Sequence, residues 1–201
     1  MPKKEIKPEY RRKLPHIQPK DGIFFVTFRL KGTLPKSIIE EYNASIENEK
    51  NKKVKIEKSK EYFTDIEEIL DKEKTGPKWL KDENIATVVK NSLVYLNKNN
   101  ICKIICYCIM SNHVHFIAKE LTEPLYAIMH SIKSYSANEC NKLLGRTGRF
   151  WQREYFDYVM RNENDLSEKI KYVLNNPVKA GLVQNWRDWD FSYCDQEFLE
   201  M

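Results

Sequence analysis

Residues Ile101 to Ile109 form a nearly unbroken apolar run, and a short turn at Ser111-Asn112 separates it from His113-Val114-His115-Phe116-Ile117-Ala118. The first run suits a central strand buried on both faces. The second reads as another strand, its apolar positions Val114, Phe116 and Ala118 on one side and its two histidines on the other.

The rest of the chain supplies partners for this pair. Ile23 to Leu30 is rich in β-branched and aromatic residues and ends at Gly32, the marks of a strand, and Tyr155 to Met160 reads as a fourth. Asp82 to Asn97 carries Ile85, Val88, Val89, Leu93 and Leu96 near i, i+3, i+4 spacing, which predicts a helix. Helices are also expected over Pro124 to Leu144 and Asp165 to Asn175. The order β-α-β-β-α-β predicts an α+β fold, a ferredoxin-like sandwich with a four-stranded antiparallel sheet and helices on one face. Residues 1–201 are expected to form a single domain with a basic arm over 1–21 and a helical insertion over 35–75. Within that insertion Ile38, Ile39, Tyr42 and Ile46, then Ile66, Ile69 and Leu70, stand at helical spacing, and Gly76-Pro77 ends it. The charged stretch 43–74 carries no motif that assigns it a role.

Charge narrows the partners only a little. A net charge of +5 is too mild to prove a nucleic-acid ligand, so distribution has to decide. Lys3, Lys4, Lys7, Arg11, Arg12 and Lys13 gather in the arm, and Lys142, Arg146, Arg149 and Arg153 gather around a glycine-containing turn. Such clusters neutralise phosphates, though solvated surface segments look the same. Five cysteines and no secretory signal argue against a disulfide framework and for the reducing cytoplasm. No apolar stretch is long enough to span a bilayer, so no membrane role is expected.

Three constellations carry chemistry. His113 and His115, two apart on a strand, project from one face and can converge on an ion; two solvent-facing histidines would read identically. On the helix after Asp165, Leu166, Ile170, Val173 and Leu174 define the buried stripe. At roughly 100° per residue Tyr172 falls nearly opposite that stripe, and Asn176 lies one turn on along the same exposed face. Pro177 disfavours helix before it, which places Asn176 at the helix end. The bland alternative is a surface tyrosine and a C-capping asparagine. The third is Phe150-Trp151-Gln152-Arg153-Glu154-Tyr155-Phe156, whose mix of aromatic and basic residues suits stacking on unpaired bases or filling a core. Trp151 and Arg153 are the candidates for DNA contact.

A phenol with pKa near 10 needs assistance to act as a nucleophile at neutral pH. An ion on His113 and His115 would polarise a phosphoryl oxygen, with the Asn176 carbonyl as a third, harder ligand. Mixed nitrogen and oxygen ligands with open positions suit Mg2+ or Mn2+, with zinc an alternative.

Met110-Ser111-Asn112-His113-Val114-His115 resembles the HUH motif of single-tyrosine transposases. Four stretches resemble the REP-associated tyrosine transposases: Arg11 to His16 with the Phe25 to Leu30 strand, Gly76 to Leu80, Phe150 to Phe156, and Tyr172 to Val183, the most specific. The resemblance implies an HUH-type ferredoxin-like fold, a divalent ion, and cleavage of single-stranded DNA beside a palindromic hairpin. It implies a 5′-phosphotyrosine intermediate with a free 3′ hydroxyl. By position His113, His115 and Asn176 match the metal ligands and Tyr172 the nucleophile, with the basic arm, including Arg11, Arg12 and Lys13, gripping the hairpin and Lys179 lying in the final matching stretch as a further DNA contact. One departure is Tyr158, where many relatives have histidine. Alternatives from other classes are a domesticated hairpin-DNA-binding protein that does not cut and a ferredoxin-like RNA-binding or structural module with incidental histidines. Monomer and homodimer both stay open.

Overall fold

The computed structural model describes residues 9–11, 15–17, 19, 21–47, 52–72 and 74–199. Strands β1 (Glu9–Arg11) and β2 (Pro15–Ile17) pair antiparallel as a small ribbon in the N-terminal arm. Arg12 and Lys13 lie outside the described residues, as does the side chain of Arg11.

The main sheet contains β3 (Phe24–Arg29), β4 (Lys103–Ile109), β5 (His113–Lys119), β6 (Phe156–Val159) and β7 (Ser192–Cys194). Its order is β6-β3-β5-β4-β7, antiparallel throughout. The four expected strands thus lie in the order fourth, first, third, second, which is the interleaving of two split β-α-β units. Their helices, α3 (Glu83–Lys98) and α4 (Leu125–Leu143), share one face over a core that includes Phe28, Val89, Leu93, Val114, Phe116 and Ile128. Helix α3 starts where the Asp82 carboxylate accepts the Asn84 and Ile85 amides, closing the exposed N-terminal donors.

Two details differ from the expected layout. A fifth strand, β7, extends the sheet beside β4. Helices also cover the second face: α5 (Glu163–Lys179) and part of α2 (Lys52–Asp71) pack there with Phe25, Ile105, Cys106, Cys108 and Ile117. The reason lies in β4, where a register shift between Ile104 and Cys106 inserts a bulge. Ile104, Tyr107 and Ile109 then face α3 and α4, while Ile105, Cys106 and Cys108 face α5. A strand apolar on both faces has to be covered twice.

The insertion consists of α1 (Lys36–Glu47) and α2, and its return is fixed tightly. Gly76, at φ +78°, lies so close to Gly32 that a Cβ would stand 2.3 Å from the Gly32 carbonyl oxygen. Thr75 Oγ1 donates to the Thr33 carbonyl at 2.9 Å, and the Leu80 amide to Ser111 at 3.1 Å. The excursion leaves the end of β3 and is pinned back to it, beside the turn that precedes His113.

Candidate active site

Register builds the site from β3 and β5. Thr27 stands opposite His115 and Arg29 opposite His113, so the polar positions of both strands share the α5 face. His113 and His115 are 1% and 0% exposed, which removes the reading of two solvent-facing histidines. Their ring centroids are 4.6 Å apart. Each Nδ1 has a fixed partner: Thr27 Oγ1 at 2.7 Å for His115 and Asn112 Oδ1 at 2.6 Å for His113. With the ring proton on Nδ1, both Nε2 atoms carry the lone pair a metal needs, the usual way outer partners select the tautomer. Burial, then the charge of His113 and of Lys169, holds His115 well below the usual imidazole range, so it is neutral at pH 7.

Tyr172 meets this pair from α5. Its ring lies 5.5 Å from that of His115 and 6.1 Å from that of Phe25, both edge-on. The helical wheel puts Tyr172 and Asn176 on an exposed face, and that expectation is corrected: Tyr172 is partly buried and Asn176 is 3% exposed. Helix α2 covers that side, with Phe63 packed edge-on against Phe25 at 5.7 Å and face-on against Phe156 at 3.7 Å.

The helix also runs on through Pro177 to Lys179, where a stop at Asn176 was expected. Proline removes the amide that would bond Val173, but Asn176 Nδ2 donates to the Tyr172 carbonyl at 2.8 Å and approaches that of Val173 at 3.5 Å. The side chain replaces part of the missing ladder, so the helix survives. Asn176 Oδ1 remains buried with no hydrogen bond.

Glu67 is the residue that sequence reasoning missed. It is 6% exposed, and Tyr172 donates its hydroxyl hydrogen to Glu67 Oε2. That oxygen is 3.2 Å from His115 Nε2, although the two lack hydrogen-bond geometry, while Oε1 is buried without any partner. Burial and the neighbouring Asp71 charge push the Glu67 carboxyl well above the usual carboxylate range, opposed by Lys169, a hydrogen bond with Thr27, and Lys179. Asn112, whose Oδ1 serves His113, also donates Nδ2 to the Leu70 carbonyl at 3.1 Å. One asparagine therefore ties α2 to the histidine strand.

The DNA-contact candidates separate. Trp151, expected to stack on bases, is 3% exposed, donates Nε1 to Ser136 at 2.9 Å and packs on Phe28. Its rings fill the core, which corrects that expectation. Arg153 is exposed, and with Lys133, Arg149 and Tyr126 it lines a groove of about 490 Å³ beside α4. Arg146 instead lies 4.0 Å over the Trp79 ring, and Lys142 pairs with Glu139 at 2.6 Å. Lys179 pairs with Asp71 at 2.7 Å at the mouth of a second groove, of about 580 Å³, that also includes Tyr172, Trp186 and Arg187. Tyr158 donates to Asp165 Oδ2 at 2.7 Å. All five cysteines are buried, and burial pushes Cys108 up to about 12, so it is a neutral thiol. Among the described residues no three His, Cys, Asp or Glu side chains already converge at ligand spacing, and no helix is long and apolar enough to cross a membrane.

The family model for IS200-like transposases matches residues 72–176, just over half of the chain. The chain belongs to that family. The matched span holds His113, His115, Tyr172 and Asn176 and leaves out Glu67 and Asp71. A putative REP-associated tyrosine transposase from Haemophilus influenzae is 28% identical over 99 residues, covering 44% of this chain and 56% of that protein. A REP-associated tyrosine transposase from Escherichia coli K12 is 22% identical over 107 residues, 52% of this chain and 62% of that protein. The chain spans just over half the length of these curated relatives. The solved structure of a REP-associated tyrosine transposase bound to a REP hairpin has the same fold at TM-score 0.57 and 19% identity, over 92% of this chain and 81% of that one. The matched span includes the β5 histidines and the α5 tyrosine that stand together in this fold.

Proposed function

We propose that this chain is a metal-dependent single-strand DNA endonuclease and transposase that cleaves and rejoins DNA near a palindromic hairpin through a 5′-phosphotyrosine at Tyr172. The observation that carries the reading is the buried contact of the Tyr172 ring with His115, itself packed against His113. A protein that only binds hairpins has no need of two buried imidazoles, each held at Nδ1, beside a phenol.

The residues fit a divalent ion. His115 Nε2 and Asn176 Oδ1 are buried without hydrogen bonds, and a buried polar atom left unpaired costs on the order of 1–3 kcal/mol unless a ligand uses it. His113, His115 and Asn176 would hold Mg2+ or Mn2+, which supplies charge to polarise the scissile phosphate. Tyr172 then attacks phosphorus; its oxygen forms the new P–O bond, the P–O3′ bond breaks, and the departing 3′ oxygen ends with the proton. Because one phosphoester replaces another, attack by a 3′ hydroxyl reverses the step without ATP. Lys179 and Arg187 at the groove beside Tyr172, and Arg149 and Arg153 beside α4, give cationic tracks for a single strand. The hairpin carried by the structural relative supports hairpin DNA as the partner.

The test is incubation of the protein with hairpin-bearing single-stranded DNA and Mn2+, followed by denaturing electrophoresis. A covalent adduct is expected with wild type and none with Tyr172→Phe. Tight binding without any adduct would instead support the non-cutting binder.

A further inference from the structure

We infer that Glu67, delivered by helix α2 from outside the family's matched span, is a further ligand of the divalent ion and supplies the negative charge that the other ligands lack. The inference rests on the metal-centre reading above and deepens it.

His113, His115 and Asn176 are all neutral donors. An ion of charge +2 held by them, at positions 0–3% exposed, has no protein charge to balance it, and an uncompensated charge in a poorly hydrated interior is costly. Divalent ions such as Mg2+ and Mn2+ also favour carboxylate oxygens over a site of imidazole alone. Glu67 meets both requirements. Its Oε2 stands 3.2 Å from His115 Nε2, and neighbouring ligands of one octahedral ion stand roughly 3 Å apart; its Oε1 is buried with no hydrogen-bond partner. No aliphatic packing function explains a carboxylate at this depth.

Its approach is built, not incidental. Phe63, one turn before Glu67, anchors α2 on Phe25 and Phe156. One turn after it, Asp71 pairs with Lys179 of α5. The Leu70 carbonyl accepts from Asn112, the residue that also fixes His113. These three attachments hold the carboxylate over the imidazoles. In this structure Glu67 accepts from Tyr172; turning toward an ion would release the phenol for its phosphate. Both histidines and Tyr172 lie within residues 72–176, whereas Glu67 stands before that span, in the insertion.

The experiment is Mn2+ titration of the full chain, read as loss of the free-ion paramagnetic resonance signal, for wild type, Glu67→Gln, Tyr172→Phe and His115→Ala. Glutamine keeps the size and can still accept from Tyr172, but it is a weak, neutral ligand. The expected result is an affinity at least tenfold weaker for Glu67→Gln, and no weaker than wild type for Tyr172→Phe. A smaller loss for Glu67→Gln overturns the inference. Should Glu67→Gln fail to fold, the Mn2+-induced rise in Tm of Glu67→Asp replaces it: a smaller rise than wild type supports the assignment, an equal one overturns it. The two readings fail separately. If wild type takes up no Mn2+, or His115→Ala binds as well as wild type, the metal centre itself is wrong; if His115→Ala loses affinity and Glu67→Gln does not, the centre stands without Glu67.

Discussion

Tyr172 in α5 donates its hydroxyl hydrogen to Glu67 in α2, joining the two helices through residues 105 positions apart in the chain. The contact makes the charged insertion a wall of the candidate active site. It also places a carboxylate, a phenol and two imidazoles in one buried volume beneath the sheet.

The partners that fix the histidines are the first point of test. Thr27→Val and Asn112→Ala each remove the group that selects an imidazole tautomer while leaving the ligand itself. Mn2+ affinity is expected to fall roughly 10–100-fold in each, as for other outer partners of metal ligands. Asn112→Ala should also lower stability, because it frees the Leu70 carbonyl at the α2 end. Unchanged Mn2+ affinity in both would contradict the site.

Glu67 gives a pH signature in metal-free protein. Its folded carboxyl titrates above the usual range, so the fold keeps a proton that the unfolded chain has lost. That stabilisation is complete below about pH 4.3, the unfolded value, and disappears as pH rises through the raised folded value. Glu67→Gln does not titrate. Its stability relative to wild type is therefore expected to increase with pH above about 4.3, followed by urea denaturation with a chelator present. A difference that stays flat across this window would mean that Glu67 is not buried as described.

Much of this architecture is legible in the residues. The two-faced apolar run of β4, the alternation of β5 and the i, i+3, i+4 pattern of α3 depend on local period, and the structure has all three. The outcome differs where distant segments meet. Tyr172 and Asn176 read as exposed because a wheel knows only its own helix, and nothing local says that α2 will cover that side. Trp151 reads equally well as a stacking platform or a core side chain, and Ser136, fifteen residues earlier, decides it. Thr27 did leave a trace, as a polar residue on a face of β3 shared with Phe25. Glu67 and Asp71, one turn apart beyond Phe63, left a fainter one, hidden among many other charges in the insertion.

Salt dependence tests the nucleic-acid partner. Contacts from Arg149, Arg153 and Arg187 to phosphates release counterions, so log affinity for hairpin DNA should fall linearly with log salt concentration. Each Arg→Ala replacement at these positions is expected to reduce the slope by about one. An affinity insensitive to salt would argue against DNA as the ligand.

The return of the insertion is tested at Gly76. Gly76→Ala must accommodate both a positive φ and a Cβ against the Gly32 carbonyl. A loss of at least about 1 kcal/mol in urea denaturation is expected, with Mn2+ affinity falling as α2 loosens. Wild-type stability would mean that this close approach does not hold the insertion.

The central claim is that Tyr172 forms the covalent link to DNA beside the two buried histidines. Digestion of the Mn2+-dependent DNA adduct and mass spectrometry of the nucleotide-bearing peptide measures this directly. The account predicts a 5′-phosphate on Tyr172, absent from His113→Ala and His115→Ala proteins that still bind the hairpin at low salt. A link at any other tyrosine, or an adduct that forms without the histidines, would contradict it.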